Sequence, residues 1–135
     1  MGAFDALGVA GSGVTVYRKW LDAISDNIAN LNTVRRADQA AFQARYVIAR
    51  AVDYGQRPGG VQVAGIALGD PAGRLVYDPK HPLADADGFV RYPDIDLGDQ
   101  MTQLIIAQRG YQANLAVVDR ARDAYQAALQ LGRGA

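Results

Sequence analysis

Leu21-Asp22-Ala23-Ile24-Ser25-Asp26-Asn27-Ile28-Ala29-Asn30-Leu31-Asn32-Thr33 closes an apolar ladder of Leu7, Ala10, Val14, Tyr17, Leu21, Ile24, Ile28 and Leu31. Those positions step by three and four, the 3.5-residue period of a coiled-coil seam. The ladder then stops in a run of Asn and Thr, residues that compete for backbone hydrogen bonds and tolerate left-handed conformations. The stretch predicts an amphipathic helix whose seam wants a partner, ended at a chemically specified exit. Asn27, Asn30 and Asn32 fit no Asn-X-Ser/Thr acceptor pattern. They are expected to cap the helix and fix the path of the chain beyond it.

Upstream, the helix is predicted to begin near Phe4 and run to Leu31, with a seam about 36 Å long at about 1.5 Å per residue. Gly8, Gly11 and Gly13 burden its first half, each at roughly 1 kcal/mol relative to Ala. Alone in water such a segment frays, because helix nucleation is already unfavourable. Packed, the same glycines permit close helix–helix approach. The segment is therefore expected to order on assembly.

The partner lies at the far end of the chain. From Met101 to Leu131 there is no proline and one glycine, Gly110. Met101, Leu104, Tyr111, Leu115, Val118, Tyr125 and Leu129 form one seam, interrupted by Gln108 and Arg122, and Ala107, Ala121, Ala124 and Ala128 form a smaller second face. Asp99 is the expected N-cap, with Asp94 and Asp96 adding favourable negative charge before the helix dipole. Gly132-Arg133 is the expected stop.

Between the helices the pattern is short and β-like. Thr33 to Gln39 reads as irregular, and Ala40 to Tyr54 as extended, since aromatic and β-branched residues cluster there. Tyr54 to Gly60 reads as a loop and Val61 to Leu68 as a strand by alternation. Asp70-Pro71-Ala72-Gly73 has turn chemistry. Arg74 to Tyr77 and Gly88 to Tyr92 read as two more strands, joined by a long connection that Pro79 and Pro82 stiffen. The predicted class is α+β, mainly α. Residues 1–33 and 97–135 form a coiled-coil domain of terminal helices, and residues 34–96 an irregular, β-rich insert.

Composition narrows the possible functions. The chain of 135 residues carries 14 basic and 14 acidic side chains, a net charge of +0. Nucleic acid is not an expected partner, since phosphate binding needs a basic stripe and Arg35-Arg36 is only a pair. Near-zero charge permits self-association. There is no Cys, which excludes disulfide scaffolds, thiol catalysis and Cys-based zinc sites. No apolar run approaches the roughly 20 residues that span a bilayer, so no membrane insertion is expected. The first residues lack a basic n-region, and Asp5 with three glycines breaks any apolar h-region. The expected export route reads no cleavable Sec signal.

Candidate chemical sites are sparse. Asp85-Ala86-Asp87-Gly88 resembles the opening of a calcium loop but lacks the further ligands and the bidentate Glu. An Asx-rich turn before a strand accounts for it better. His81, the one histidine, sits between Asp78 and Asp85 in a proline-stiffened loop. No nucleophile elbow, P-loop or dinucleotide fingerprint is present. No catalytic, cofactor-binding or metal-ligating residue is assigned. Heptads alone fit two helices of one small protein, but an assembly subunit accounts better for the glycines and the surplus Ala surface.

The heart of the opening stretch, including Asn27, Ile28, Ala29, Asn30 and Thr33, resembles the N-terminal signature of the bacterial flagellar rod and hook axial protein family. Leu75-Val76-Tyr77-Asp78-Pro79-Lys80-His81-Pro82, Gly88-Phe89-Val90 and Tyr92-Pro93 are similar to the proximal rod members of that family. Met101, Arg109-Gly110-Tyr111-Gln112-Ala113-Asn114 and Ala128 to Gly132 agree. The stretch Val34 to Ala41 departs from the Gly-containing segment usual there. The resemblance implies a non-enzymatic subunit of the periplasm-spanning rod, leaving the cell through the flagellar type III channel. Its implied partners are copies of itself, the rod proteins FlgB, FlgF and FlgG, the FliE adaptor and the MS-ring protein FliF. The terminal helices would line a tube, forming drive shaft and export channel, with the insert outside. Two other functions stay open from the residues: a free-standing coiled-coil adaptor, and a small metal-binding module using His81 and the Asp cluster.

Overall fold

The computed structural model describes residues 2–134. Met1 and Ala135, the outermost positions of the expected terminal-helix domain, lie outside the described residues. Two helices bracket five strands: α1 (Ala3–Ala29), β1 (Arg35–Arg36), β2 (Arg45–Asp53), β3 (Pro58–Leu68), β4 (Arg74–Tyr77), β5 (Phe89–Tyr92) and α2 (Leu97–Arg133). The class is α+β, as expected. No described helix is long and apolar enough to cross a membrane.

Several boundaries differ from the sequence expectation, each for a local reason. Arg35-Arg36 is not irregular but a two-residue strand, held because β5 offers its edge in the register Arg35 opposite Arg91 and Arg36 opposite Val90. The loop expected over 54–60 shrinks to four residues, because Tyr54 N–H bonds to the Arg57 carbonyl at 3.4 Å and β3 starts at Pro58. Proline is tolerated there as the first residue of a strand. The cap of α2 is Asp96, not Asp99. Asp96 carboxylate oxygens accept the N–H groups of Gly98 and Asp99, each at 3.3 Å. Asp99 falls in the first turn and accepts from Gln103 Nε2 at 3.0 Å. At the other end α2 passes through Gly132 instead of stopping there.

The described chain divides into two compact units, one built of residues up to 21, 48–65 and from 105 onward, the other of 22–47 and 66–104. In the first, α1 and α2 run antiparallel: Phe4 meets Tyr125 edge-on at 5.2 Å, Gly13 faces Asn114 and Gly110 faces Tyr17. Ala10, Val16 and Ala107 are its buried apolar side chains. The β2–β3 turn belongs to this unit.

The second unit has the denser core, made of Ala23, Ile24, Ala41, Ala44, Val90, Pro93 and Ile95. Its sheet is antiparallel in the order β1-β5-β4. In the connection before β4, the Asp70 carboxylate accepts Ala72 N–H at 2.8 Å and its carbonyl accepts Gly73 N–H at 3.2 Å, the expected turn. Gly73 has φ 54°, and a Cβ there would stand 2.1 Å from the Tyr92 carbonyl oxygen, so no other residue fits without backbone movement. Arg91 ties the sheet to its flanking loops by donating to the carbonyls of Ala37 and Ala72.

Candidate functional site: a buried amide hub and the helix seams

The end of α1 answers the question its sequence raised, and its three asparagines behave differently. Asn30 is a helix cap: its Nδ2 donates to the Asp26 carbonyl at 2.8 Å and its Oδ1 accepts from Thr33 Oγ1 at 3.1 Å. The backbone tightens over the same residues, with Leu31 N–H on the Ile28 carbonyl and Thr33 N–H on the Asn30 carbonyl. Asn32 is exposed. Asn27 is 1% exposed and reaches away from its own helix.

Asn27 Oδ1 accepts the Arg45 N–H at 2.8 Å, and Nδ2 donates both to the Arg45 carbonyl at 3.0 Å and to Gln100 Oε1 at 3.1 Å. Both N–H groups of the amide and its oxygen are therefore used. The hub joins the end of α1, the first residue of β2 and the first turn of α2. Gln100 is as buried as Asn27, at 1%. Such a network is stabilising only when every member is satisfied, and no buried side-chain polar atom among the described residues lacks a partner. Arg45 holds on with its side chain as well, through a 2.7 Å ion pair to Asp26. Both of those side chains are half exposed, so the pair contributes little.

Sequence reasoning missed Gln100. Its signal was a seven-residue spacing, Gln100, Ala107, Asn114 and Ala121, that tracks the packed stripe of α2 with small and amide side chains. Along that stripe Gly110 and Asn114 meet α1. A Cβ on Gly13 would lie 2.5 Å from Asn114 Oδ1, and one on Gly110 would lie 2.3 Å from the Tyr17 ring. Each helix thus uses a glycine to receive a side chain of the other, and Asn114 Nδ2 is steadied on the Gly110 carbonyl at 2.8 Å. Gly13 has the close approach expected of it. Gly8 and Gly11 do not: nothing stands within 4 Å of where their Cβ atoms would be.

The seam residues divide by exposure. On α1, Ile24 is fully buried, and Leu7, Val14, Tyr17, Leu21, Ile28 and Leu31 are half-buried. On α2, Leu104, Tyr111, Leu115 and Val118 are half-buried, whereas Met101, Tyr125 and Leu129 are exposed. Of the motif residues, Asn27, Asn30 and Thr33 make the bonds described, Ile28 is half-buried and Ala29 is exposed.

The other candidate cluster is used up locally. His81 Nδ1 accepts the Leu83 N–H at 3.0 Å, and Asp85 Oδ1 accepts those of Asp87 and Phe89. No three His, Asp or Glu side chains among the described residues are placed to hold a metal ion.

Residues 86–131 match the family described as "Flagellar basal body rod FlgEFG protein C-terminal". The matched span runs from the turn before β5 through nearly all of α2. Over 98% of its length the chain is 37% identical to the flagellar basal-body rod protein FlgC of Yersinia enterocolitica and 34% identical to that of Salmonella typhimurium, each relative being covered completely. It is 33% identical to the corresponding protein of Borreliella burgdorferi, over 99% of this chain and all of that one. Similarity at this level and over this extent settles the family: the chain belongs to the flagellar basal-body rod proteins of the FlgC family, whose members are structural and not enzymatic.

Proposed function

We infer that this rod subunit is a component of the proximal rod, assembling helically through its terminal helices into the periplasm-spanning drive shaft and export channel. Residues 1–33 and 97–135 form the rod core as a coiled coil, and residues 34–96 sit outside it. The subunit reaches the rod through the flagellar type III channel. Its neighbours are copies of itself, the rod proteins FlgB, FlgF and FlgG, the FliE adaptor and the MS-ring protein FliF.

One observation carries this proposal. Ile106, Ala113, Val117, Ala124 and Leu131 recur on α2 at steps of seven and four, beside the stripe that packs on α1. Ile106 is 52% exposed, Val117 44% and Leu131 79%. A helix with a second apolar stripe at coiled-coil spacing has a second seam to fill. Nothing among the described residues fills it, whereas a tube of parallel-packed subunits does. The chain's zero net charge leaves no long-range repulsion between copies.

The test is to replace Val117 and Leu131 by Asp together, in a strain lacking its own copy of the subunit. Exposed side chains outside the packed face contribute little to folding, typically within about 0.5 kcal/mol. The purified variant should therefore melt like the parent while the strain builds no rods and does not swim. Normal rods from this variant would remove the second seam from the assembly.

A further inference from the structure

The turn end of the β2–β3 hairpin is fastened to α1 by very little. Ser12 Oγ donates to the Val9 carbonyl at 2.6 Å and accepts the Val61 N–H at 3.0 Å. Gly60, with φ 83°, lies so close that a Cβ would stand 2.2 Å from Ser12 Oγ and 3.3 Å from Val9 Cα. Backbone rests on backbone there, and no residue of 48–65 supplies a side chain to the buried core of the described residues. Open space flanks the contact. A cleft of about 310 Å³ separates Phe4, Asp5 and Gly8 from Tyr54 and Arg57. A second, of about 460 Å³, lies along the turn between Val52 and Gly60. The base of the hairpin is different, since a buried amide holds both the N–H and the carbonyl of Arg45.

The flank of α1 covered by the turn is also distinctive. Val9 and Ser12 adjoin Gly8 and Gly11, the α1 glycines with nothing within 4 Å of where a Cβ would stand. Elsewhere in this chain a helical glycine with a close neighbour faces the other helix, as Gly13 and Gly110 do. Packed helices stand about 8–10 Å apart, and closer where glycine replaces a side chain. A neighbouring helix cannot come that near the Gly8–Ser12 surface while Gly60 lies against Val9.

We propose that residues 54–60 form a strap, closed over the Val9–Ser12 flank of α1 in the free subunit and lifted when the subunit joins the rod. This rests on the proposal above that the terminal helices make the rod contacts. One neutral hydrogen bond biases such an equilibrium by roughly tenfold, so the closed strap is favoured but readily opened, with Gly55, Gly59 and Gly60 free to absorb the backbone change.

The chain has no cysteine, so a Ser12→Cys/Gly60→Cys pair forms a unique lock; the Cβ built at Gly60 lies 3.2 Å from Ser12 Cβ, near the separation a disulfide spans. In a strain lacking its own copy, the oxidised pair should be absent from purified basal bodies and the cells non-motile, with reductant restoring both. Each single variant should swim, because a strap that lifts tolerates a side chain at Gly60. Rods and swimming with the lock oxidised overturn the proposal, and so does loss of swimming in the Gly60→Cys single variant. Hydrogen exchange on the free subunit tests the strap independently of the rod. The Val61 amide should exchange at least about tenfold faster than the Arg45 amide, and faster again in Ser12→Ala. Equal protection at Val61 and Arg45 overturns the strap even if every rod experiment succeeds. A parent chain that restores no rods, with fast exchange at Val61, removes the rod proposal and the lifting step with it, and leaves only the weakly closed strap of the free subunit.

Discussion

Asn27 treats Arg45 as a neighbouring strand would: its amide accepts the Arg45 N–H at 2.8 Å and returns a donor to the Arg45 carbonyl at 3.0 Å. A helix side chain thereby satisfies the edge of the first residue of β2, which has no backbone partner on that side of the hub. The same amide fixes Gln100, 73 residues away in sequence. A motif that reads as a helix terminator is therefore also the point at which three parts of one unit are joined.

Replacing Asn27 tests the hub directly. Asn27→Ala strands the Arg45 N–H and carbonyl and the Gln100 amide, at about 1–3 kcal/mol for each group left dry. Water entering the small cavity recovers part of this, so a net loss of about 2–3 kcal/mol is expected in urea unfolding. Asn27→Asp should be at least as costly despite its matching shape, because it keeps the acceptor for Arg45 N–H but presents oxygen to the Arg45 carbonyl and to Gln100 Oε1. A double-mutant cycle with Gln100→Ala should give a coupling of at least about 0.5 kcal/mol. Additive losses would mean the Asn27–Gln100 bond carries no weight.

The helical glycines should separate in the same assay. Gly8 and Gly11 have open space in front, so alanine there gains helix propensity, up to about 1 kcal/mol each in the free subunit. Gly110→Ala meets the Tyr17 ring at 2.3 Å, and Tyr17 is itself stacked on Trp20 at 6.0 Å. Overpacking of that kind costs about 1–3 kcal/mol, which should outweigh the propensity gain and lower the melting temperature. A Gly110→Ala subunit that melts higher than the parent would show that Tyr17 yields freely.

What could be read in the sequence was what neighbouring residues decide. The period of Leu7 to Leu31 marks α1 because one side of a helix must be apolar to pack. Asp70 and Asp85 announce their turns because an Asp side chain bonds the backbone two residues on, whatever lies further off. Asp99 read as the cap and Asp96 only as added charge, but α2 begins directly after Asp96, whose carboxylate takes the Gly98 and Asp99 N–H groups. The strand at Arg35-Arg36 was not legible at all, since two arginines carry no β pattern and only the edge of β5 makes them one. Asn27 stood out as a motif residue, but its partners did not. Arg45 and Gln100 are 18 and 73 residues away, and hydrogen bonds at that range leave no periodicity. Part of α2 misled for a related reason. Its packed stripe is lined by Ala107, Gly110 and Asn114, where close approach favours small side chains over the large apolar ones that define a seam by eye.

Ile24 and Ile28 lie on one seam, yet aspartate at the two positions should fail differently. Ile24 is 1% exposed within the dense core, and a carboxylate there has neither partner nor water, a loss large enough to unfold a marginal domain. Ile28 is half-buried, so its carboxylate can reach solvent. Ile24→Asp should give an unfolded subunit by circular dichroism. Ile28→Asp should give a folded subunit, destabilised by about 1–3 kcal/mol, that still fails to enter rods. Incorporation of the Ile28→Asp subunit would show that this end of the seam is buried only within the chain.

Arg45 offers the sharpest contrast between side chain and backbone. Its guanidinium meets Asp26 at 2.7 Å, but both side chains are about half exposed; exposed pairs of this kind contribute about 0–1 kcal/mol. The cation also lies over the Phe42 ring at 6.0 Å, an arrangement worth about 0.5–1 kcal/mol at exposed sites. Arg45→Ala removes both and should cost at most about 1–2 kcal/mol, less at high salt as the ion-pair part is screened. The hub itself would remain, because Asn27 binds the backbone of residue 45 and not its side chain. Arg45→Pro keeps the carbonyl but deletes the N–H that Asn27 Oδ1 accepts, leaving that oxygen unpaired at a buried site, and should cost more than Arg45→Ala by about 1–3 kcal/mol at any salt concentration. Urea unfolding of both variants at low and high salt checks the ordering. Equal losses at high salt would mean that deleting the N–H of residue 45 costs nothing beyond losing the side chain, and that the grip of Asn27 on that N–H contributes nothing to holding the strand.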